Sequence, residues 1–222
     1  MSGFFSPKSP LWRAMSKIAD LLWLNILFVV CCVPVFTIGA ALTAMYSVTF
    51  KMTVNEEGSI SRDFFKAFRE NFKQATYLWL IMAGIGLFIL ADTFIIAYLP
   101  AQIQEIAMYV LAGIGVLFLI TFSYLFPLQS RFENPIKRTL MNALLISIRH
   151  LLPTTVAVAA LTAAPALILW FKPELMLDFF PIVILILFSA IAFFVSKLLR
   201  PIFQKYIDLQ QAQQEETSDD AL

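Results

Sequence analysis

A lone histidine, two adjacent cysteines and one carboxylate deep in an apolar stretch are the residues best equipped for chemistry in this chain of 222. Asp92 sits inside the apolar run Ala75–Tyr98. A charge there is costly, so it should face the bundle interior or neutralise itself. It reads first as a structural or interfacial acid, sharing a polar pocket with Thr93, and second as a contact for an ion or substrate. Asn25 reads as the source of a hydrogen bond between helices rather than as a binding group. Cys31 and Cys32 are neighbours, and adjacent cysteines form at best a strained disulfide, so they read as small apolar packing residues. His150 stands beside Arg149 at a predicted membrane boundary, where snorkelling to the interface explains it better than catalysis does.

Catalysis by a nucleophile and base, or by a bound metal, needs several histidines, cysteines or carboxylates together. The sequence has no HExxH, CxxC or GxSxG and no phosphate loop. The expectation is a chain that is not an enzyme and holds no metal or cofactor. A net charge of +1 gives no reason to expect nucleic acid as a partner.

The elements that position these residues are membrane helices. The chain is 60% hydrophobic and only 14% charged, against about a quarter charged in a soluble domain. Four runs have the length of a span, Ala75–Tyr98, Glu105–Leu128, Leu151–Phe171 and Phe179–Leu199. The run before them, Ile18–Met52, would extend about 52 Å as one helix, too long for a core of about 30 Å. Within it, "CCVPVFTIGAA" carries Pro34, Thr37 and Gly39. Proline removes an N–H, glycine tolerates positive φ, and threonine bonds freed backbone groups. The sequence predicts a turn there, with arms Ile18–Val33 and Thr37–Phe50 returning the chain to its starting side.

The cations agree. With a hairpin in the first fifty residues, fifteen of the sixteen Lys and Arg fall on one side and Lys172 alone on the other. That distribution places both termini in the cytoplasm. The predicted fold is all-α: a membrane helix bundle of about six segments, the first two a broken hairpin, with two cytoplasmic amphipathic helices. A cleaved signal peptide fits less well, because the first arm is long and Pro34 interrupts it. One integral membrane domain is expected over 1–207, and an acidic tail without fixed structure over 208–222.

The first amphipathic helix, Ser59–Gln74, gathers Phe64, Phe65, Phe68 and Phe72 on one face, with Arg62, Lys66, Arg69 and Lys73 around it. Ser61 is its expected N-cap and Asp63 lies in its first turn. The second follows Asn134 and Pro135, with an apolar stripe of Leu140, Leu144 and Ile148 beside Lys137 and Arg138. Both can lie against anionic lipid or dock onto a partner. "AGIG" occurs at Ala83–Gly86 and again at Ala112–Gly115, and suggests close approach of two helices.

The stretch "LNILFVVCCVPVFTIGAALTAMYSVTFKM" followed by "FFKAFRENFKQA" resembles the YesL-type bacterial membrane proteins, a family whose domain is of unknown function. The likeness lies in the Pro34, Thr37, Gly39 turn, the Phe64, Phe65, Phe68 segment, and "RFENPIKRTLMNALL" from Arg131. It implies a plasma-membrane protein with an accessory or regulatory role in carbohydrate uptake, beside a sugar ABC importer. The other reading is a transporter or ABC-permease-like subunit whose cavity is lined by the broken hairpin.

Overall fold

The computed structural model describes residues 10–150, 154–171, 174 and 186–219. These residues form seven α-helices and no strand. They are α1 (Pro10–Cys32), α2 (Ile38–Val54), α3 (Ile60–Ile96), α4 (Ala101–Gln129), α5 (Ile136–Arg149), α6 (Val156–Phe171) and α7 (Phe188–Asp219), with a 3-10 turn at Val35–Thr37 between α1 and α2. Four helical stretches are long and apolar enough to cross a membrane: Met15–Cys32, Val35–Val54, Ile60–Ile96 and Ala101–Gln129. The first part of the predicted span Phe179–Leu199 lies outside the described residues.

The turn forms where the sequence places it. Pro34 is extended, with φ −78° and ψ 112°, and Thr37 folds back over it. The Thr37 hydroxyl donates to the Cys31 carbonyl at 2.5 Å and to the Pro34 carbonyl at 2.6 Å. It thereby satisfies a carbonyl that the end of α1 leaves open. Gly39 has a different job from the one its type suggests. No glycine among the described residues has positive φ, and Gly39 is helical. A Cβ placed on it would lie 2.3 Å from the Ala75 carbonyl oxygen and 2.6 Å from the Trp79 Cβ. Gly39 is small because α2 runs directly against α3.

α2 is the centre of the bundle. Ala40, Ala41, Ala44, Met45, Val48, Phe50 and Met52 are all buried, packed by α1, α3, α4 and α7. It ends at Asn55, whose φ of 58° is the left-handed geometry that asparagine tolerates. The chain then turns within Glu56–Ser59 and enters α3.

α3 differs from expectation. The amphipathic segment and the span after it are one helix of 37 residues. Neither proline nor glycine occurs between Gly58 and Gly84, so nothing breaks the backbone at Gln74–Ala75. Its N-cap is Ser59 rather than Ser61, with no side-chain capping bond. Asp63 in the first turn accepts the Gly58 N–H at 3.3 Å and the Lys51 ammonium at 2.9 Å. Lys51 pairs with Asp63 near the start of α3, and Gly39 meets Ala75 and Trp79. α2 therefore lies antiparallel along the lower half of α3. Beyond Trp79, α3 continues for 17 residues to Ile96, about 25 Å at 1.5 Å per residue.

That upper half is clasped by α4. Trp79 meets the rings of Phe122 and Phe126, at 6.2 and 6.5 Å, and a Cβ on Gly86 would touch the Phe118 ring at 3.3 Å. The other AGIG glycines do not mediate close packing. Gly84, Gly113 and Gly115 have nothing within 4 Å of an added Cβ among the described residues. Leu87, Phe88 and Phe94 of α3, with Ile106, Tyr109 and Val116 of α4, stand exposed, as side chains facing lipid do.

α7 closes the bundle on the side away from α3. The backbone N–H of Ser189 donates to Asn25 Oδ1 at 2.8 Å, and its hydroxyl to the Leu21 carbonyl at 2.8 Å. Lower down, Thr49 and Ser196 share a hydrogen bond of 2.8 Å. The backbone of α7 stays helical to Asp219, through most of the acidic stretch expected to lack structure. Alanine, glutamine and glutamate there favour helix.

Candidate functional site

The cations gather at the end of the bundle where α1 begins, α2 ends and α3 begins. Lys17 of α1 donates to the Met52 carbonyl at 3.0 Å, and Arg200 of α7 to the Thr53 carbonyl at 3.3 Å. Both bind carbonyls of the last turn of α2, where positive charge is favoured. The Arg131 guanidinium lies 5.3 Å from the centre of the Phe50 ring. The connection Leu99–Gln104, at the opposite end, has no Lys or Arg.

An amide network fixes the loop after α4 to the lower half of α3. Gln74 Nε2 donates to Gln129 Oε1 at 3.0 Å and also to the Asn134 carbonyl. Gln129 Nε2 donates to Asn71 Oδ1 at 3.2 Å. Thr139 Oγ1 closes the network on the Asn134 carbonyl at 3.2 Å. α5 then starts at Ile136 with Pro135 as its N-cap, one residue later than Asn134 would place it. An open polar cleft of about 670 Å³ lies beside this network, lined by Ser47, Glu70, Asn71, Gln129, Arg131 and Glu133 among others. Tyr124 of α4 and Thr155, the residue before α6, share a hydrogen bond of 2.9 Å, and Thr155 donates to the Ser147 carbonyl at 2.8 Å.

The residues with chemistry to offer are dispersed. Asp92 is half-buried on the upper half of α3 and has no ion pair among the described residues. The Thr93 hydroxyl donates to its own helix, at the Ile89 carbonyl, and forms no pocket with it. Asn25 is fully buried as an α1–α7 link. Cys31 and Cys32 are free thiols beside the turn. His150, edge-on to the Tyr206 ring at 6.2 Å, follows α5. Burial, then the charges of Arg149 and Lys205, push its pKa below the ordinary value. No group of three metal-ligating side chains exists among the described residues.

The aromatic and basic face predicted for Ser59–Gln74 is divided. Phe64 is fully buried and Phe68 and Phe72 are half-buried, so these rings fasten α3 to the bundle. Phe64 stacks on Phe68 at 6.2 Å and Phe68 meets Phe72 at 5.5 Å. Phe65 alone of the four is exposed, beside Arg62, Lys66, Arg69 and Lys73, which are exposed too. Periodicity made the face visible, but α2 claims its apolar side. On α5 the stripe is shifted as well. Leu140 and Leu144 are half-buried, while Met141, Leu145 and Ile148 are exposed with Lys137 and Arg138.

Residues 21–93 match the family model "Protein of unknown function, DUF624". The matched segment holds the turn, α2 and most of α3. The chain is also 26% identical over 160 residues to "Uncharacterized protein YesL" of Bacillus subtilis, covering 72% of this chain and 74% of that protein. Both findings support a likeness to the YesL-type proteins. No solved structure matches it. The part that matches the DUF624 model is the part in which Gly39 meets Ala75, so the matched segment includes the packing of the hairpin against α3.

Proposed function

We propose that this chain is a non-enzymatic, multi-pass protein of the bacterial plasma membrane that presents the cation-rich base of its bundle to a protein partner. The reading has about six membrane segments, with both termini and the base in the cytoplasm. It is supported by the basic residues concentrated at one end. The observation that carries the partner role is the lower half of α3. Arg62, Phe65, Lys66, Arg69 and Lys73 stand exposed on a helix that is gripped from behind by α2 and continues into the membrane. A rigid charged helix face of this kind suits recognition by an acidic partner surface. Carbohydrate uptake, with a sugar ABC importer as the partner, rests on the YesL resemblance alone.

The transporter reading has less support. A hairpin lining a cavity should leave polar backbone open to water. Here Thr37 turns its hydroxyl onto its own backbone, and Gly39 is pressed against α3. The test is to purify the full chain in mild detergent with its co-expressed neighbours. A stoichiometric importer complex, lost when Arg62, Lys66 and Arg69 are changed to Glu, supports the proposal. A protein that purifies alone and takes labelled sugar into liposomes refutes it.

A further inference from the structure

A recess of about 510 Å³ opens between α1 and α7, beside the end of α2. Lys17, Thr53, Phe193, Lys197, Arg200 and Gln204 line it. Three cations converge there with no carboxylate among the lining residues. Neither ion pair among the described residues, Lys51–Asp63 or Lys66–Glu70, uses them, and the carboxylate that Lys17 acts on electrostatically, Asp20, lies outside the lining. The bland account is that Lys17 and Arg200 are there to cap α2. Each spends one donor on it, whereas an ammonium has three and a guanidinium five. Lys197 is exposed and is not needed for that cap.

The recess lies at the level of a membrane boundary. Lys17 falls near the start of the apolar stretch Met15–Cys32, and Lys197 and Arg200 end the apolar stretch of α7. Phe193 gives it an apolar wall, with the Lys17 ammonium 5.8 Å from the centre of its ring. Ile18, Phe194 and Leu198, next in sequence to lining residues, are exposed large hydrophobics. Cations at the mouth and apolar side chains adjoining them match a molecule with an anionic head and hydrocarbon tails. Basic pockets between membrane helices hold such headgroups.

We infer that this recess binds the phosphate headgroup of an anionic phospholipid between α1 and α7, with Lys17, Lys197 and Arg200 as its donors. The acyl chains then run along α1 and α7. Occupancy would brace α7 against α1 independently of any protein partner at the base.

The experiment uses the full chain, stripped of lipid in detergent and re-lipidated with phosphatidylglycerol or phosphatidylcholine. Retained lipid per protein is counted by mass spectrometry after size-exclusion chromatography. Phosphatidylglycerol should be retained and phosphatidylcholine should not. Lys197→Glu should lower retention by well over the roughly fivefold that one cation contributes near a lipid surface. It leaves both capping bonds of α2 intact, and a wild-type elution profile checks its fold. Arg149→Glu, an exposed cation outside the recess lining, should retain phosphatidylglycerol as the wild type does, and inorganic phosphate should not displace the lipid. Three outcomes overturn the inference: full retention in Lys197→Glu, equal loss in Arg149→Glu, or displacement by inorganic phosphate. The last would assign the recess to a soluble anion.

Discussion

Replacing Gly39 by alanine adds one methyl group where α2 and α3 touch. An alanine Cβ there would sit 2.3 Å from the Ala75 carbonyl oxygen, so a backbone atom would have to move. Overpacking of this kind costs about 1–3 kcal/mol, and a rigid backbone neighbour puts the cost near the top of that range. Against it stands the helix preference of alanine over glycine, about 1 kcal/mol. The net expectation is a loss of about 2 kcal/mol, or roughly 4–8 °C in melting temperature for a chain of this size. Gly84→Ala and Gly113→Ala supply the comparison, because neither added methyl meets a described atom within 4 Å. Both should melt at or slightly above the wild type. The assay is thermal unfolding in detergent followed by fluorescence-detected size exclusion. A Gly39→Ala protein that melts with the wild type, or a Gly84→Ala protein that loses as much, refutes close α2–α3 contact as the reason for this glycine.

Thr37→Val should cost about 1 kcal/mol by deleting the hydroxyl that closes the turn, and Thr37→Ser should recover most of it in the same melt. Asn25→Ala leaves the buried Ser189 N–H without its acceptor and should cost about 1–3 kcal/mol, with proteolysis near α7 as a second readout. His150 has a depressed pKa in the folded chain, so its neutral form favours folding above its ordinary value near 6.5, and that contribution is lost as pH falls through the lower folded value. The wild type should therefore lose more melting temperature than His150→Gln between pH 7 and pH 5. Gln74→Pro should break α3 between its halves at a cost of about 3 kcal/mol or more, seen as a loss of monodisperse protein in detergent.

The order of helices and the turn at Pro34 are legible in the sequence because length and hydropathy constrain them independently. Pro34 and Thr37 act through local backbone chemistry, which a short sequence window contains. Gly39 does not. Its neighbour Ala75 is 36 positions away, and only packing reveals that a Cβ is forbidden. The same limit hid the division of the Phe64 face. Helical periodicity places four rings together, but says nothing of whether lipid, water or α2 takes them. For Asp92, depth in an apolar run does not tell which way the side chain points. The recess at Lys17 draws on α1, α2 and α7, with lining residues spread from Lys17 to Gln204, so no sequence motif announces it.

The unbroken course of α3 has a mechanical consequence. The helix is a rod about 55 Å long, held in a vice over its lower half and steadied chiefly by α4 above Trp79. With Gly39–Trp79 as the fulcrum, a tilt of about 5° at the lower end swings the far tip by about 2 Å. Force applied to Lys66 or Arg69 at one end of the bundle thus reaches the other end as displacement of Tyr98 and Leu99.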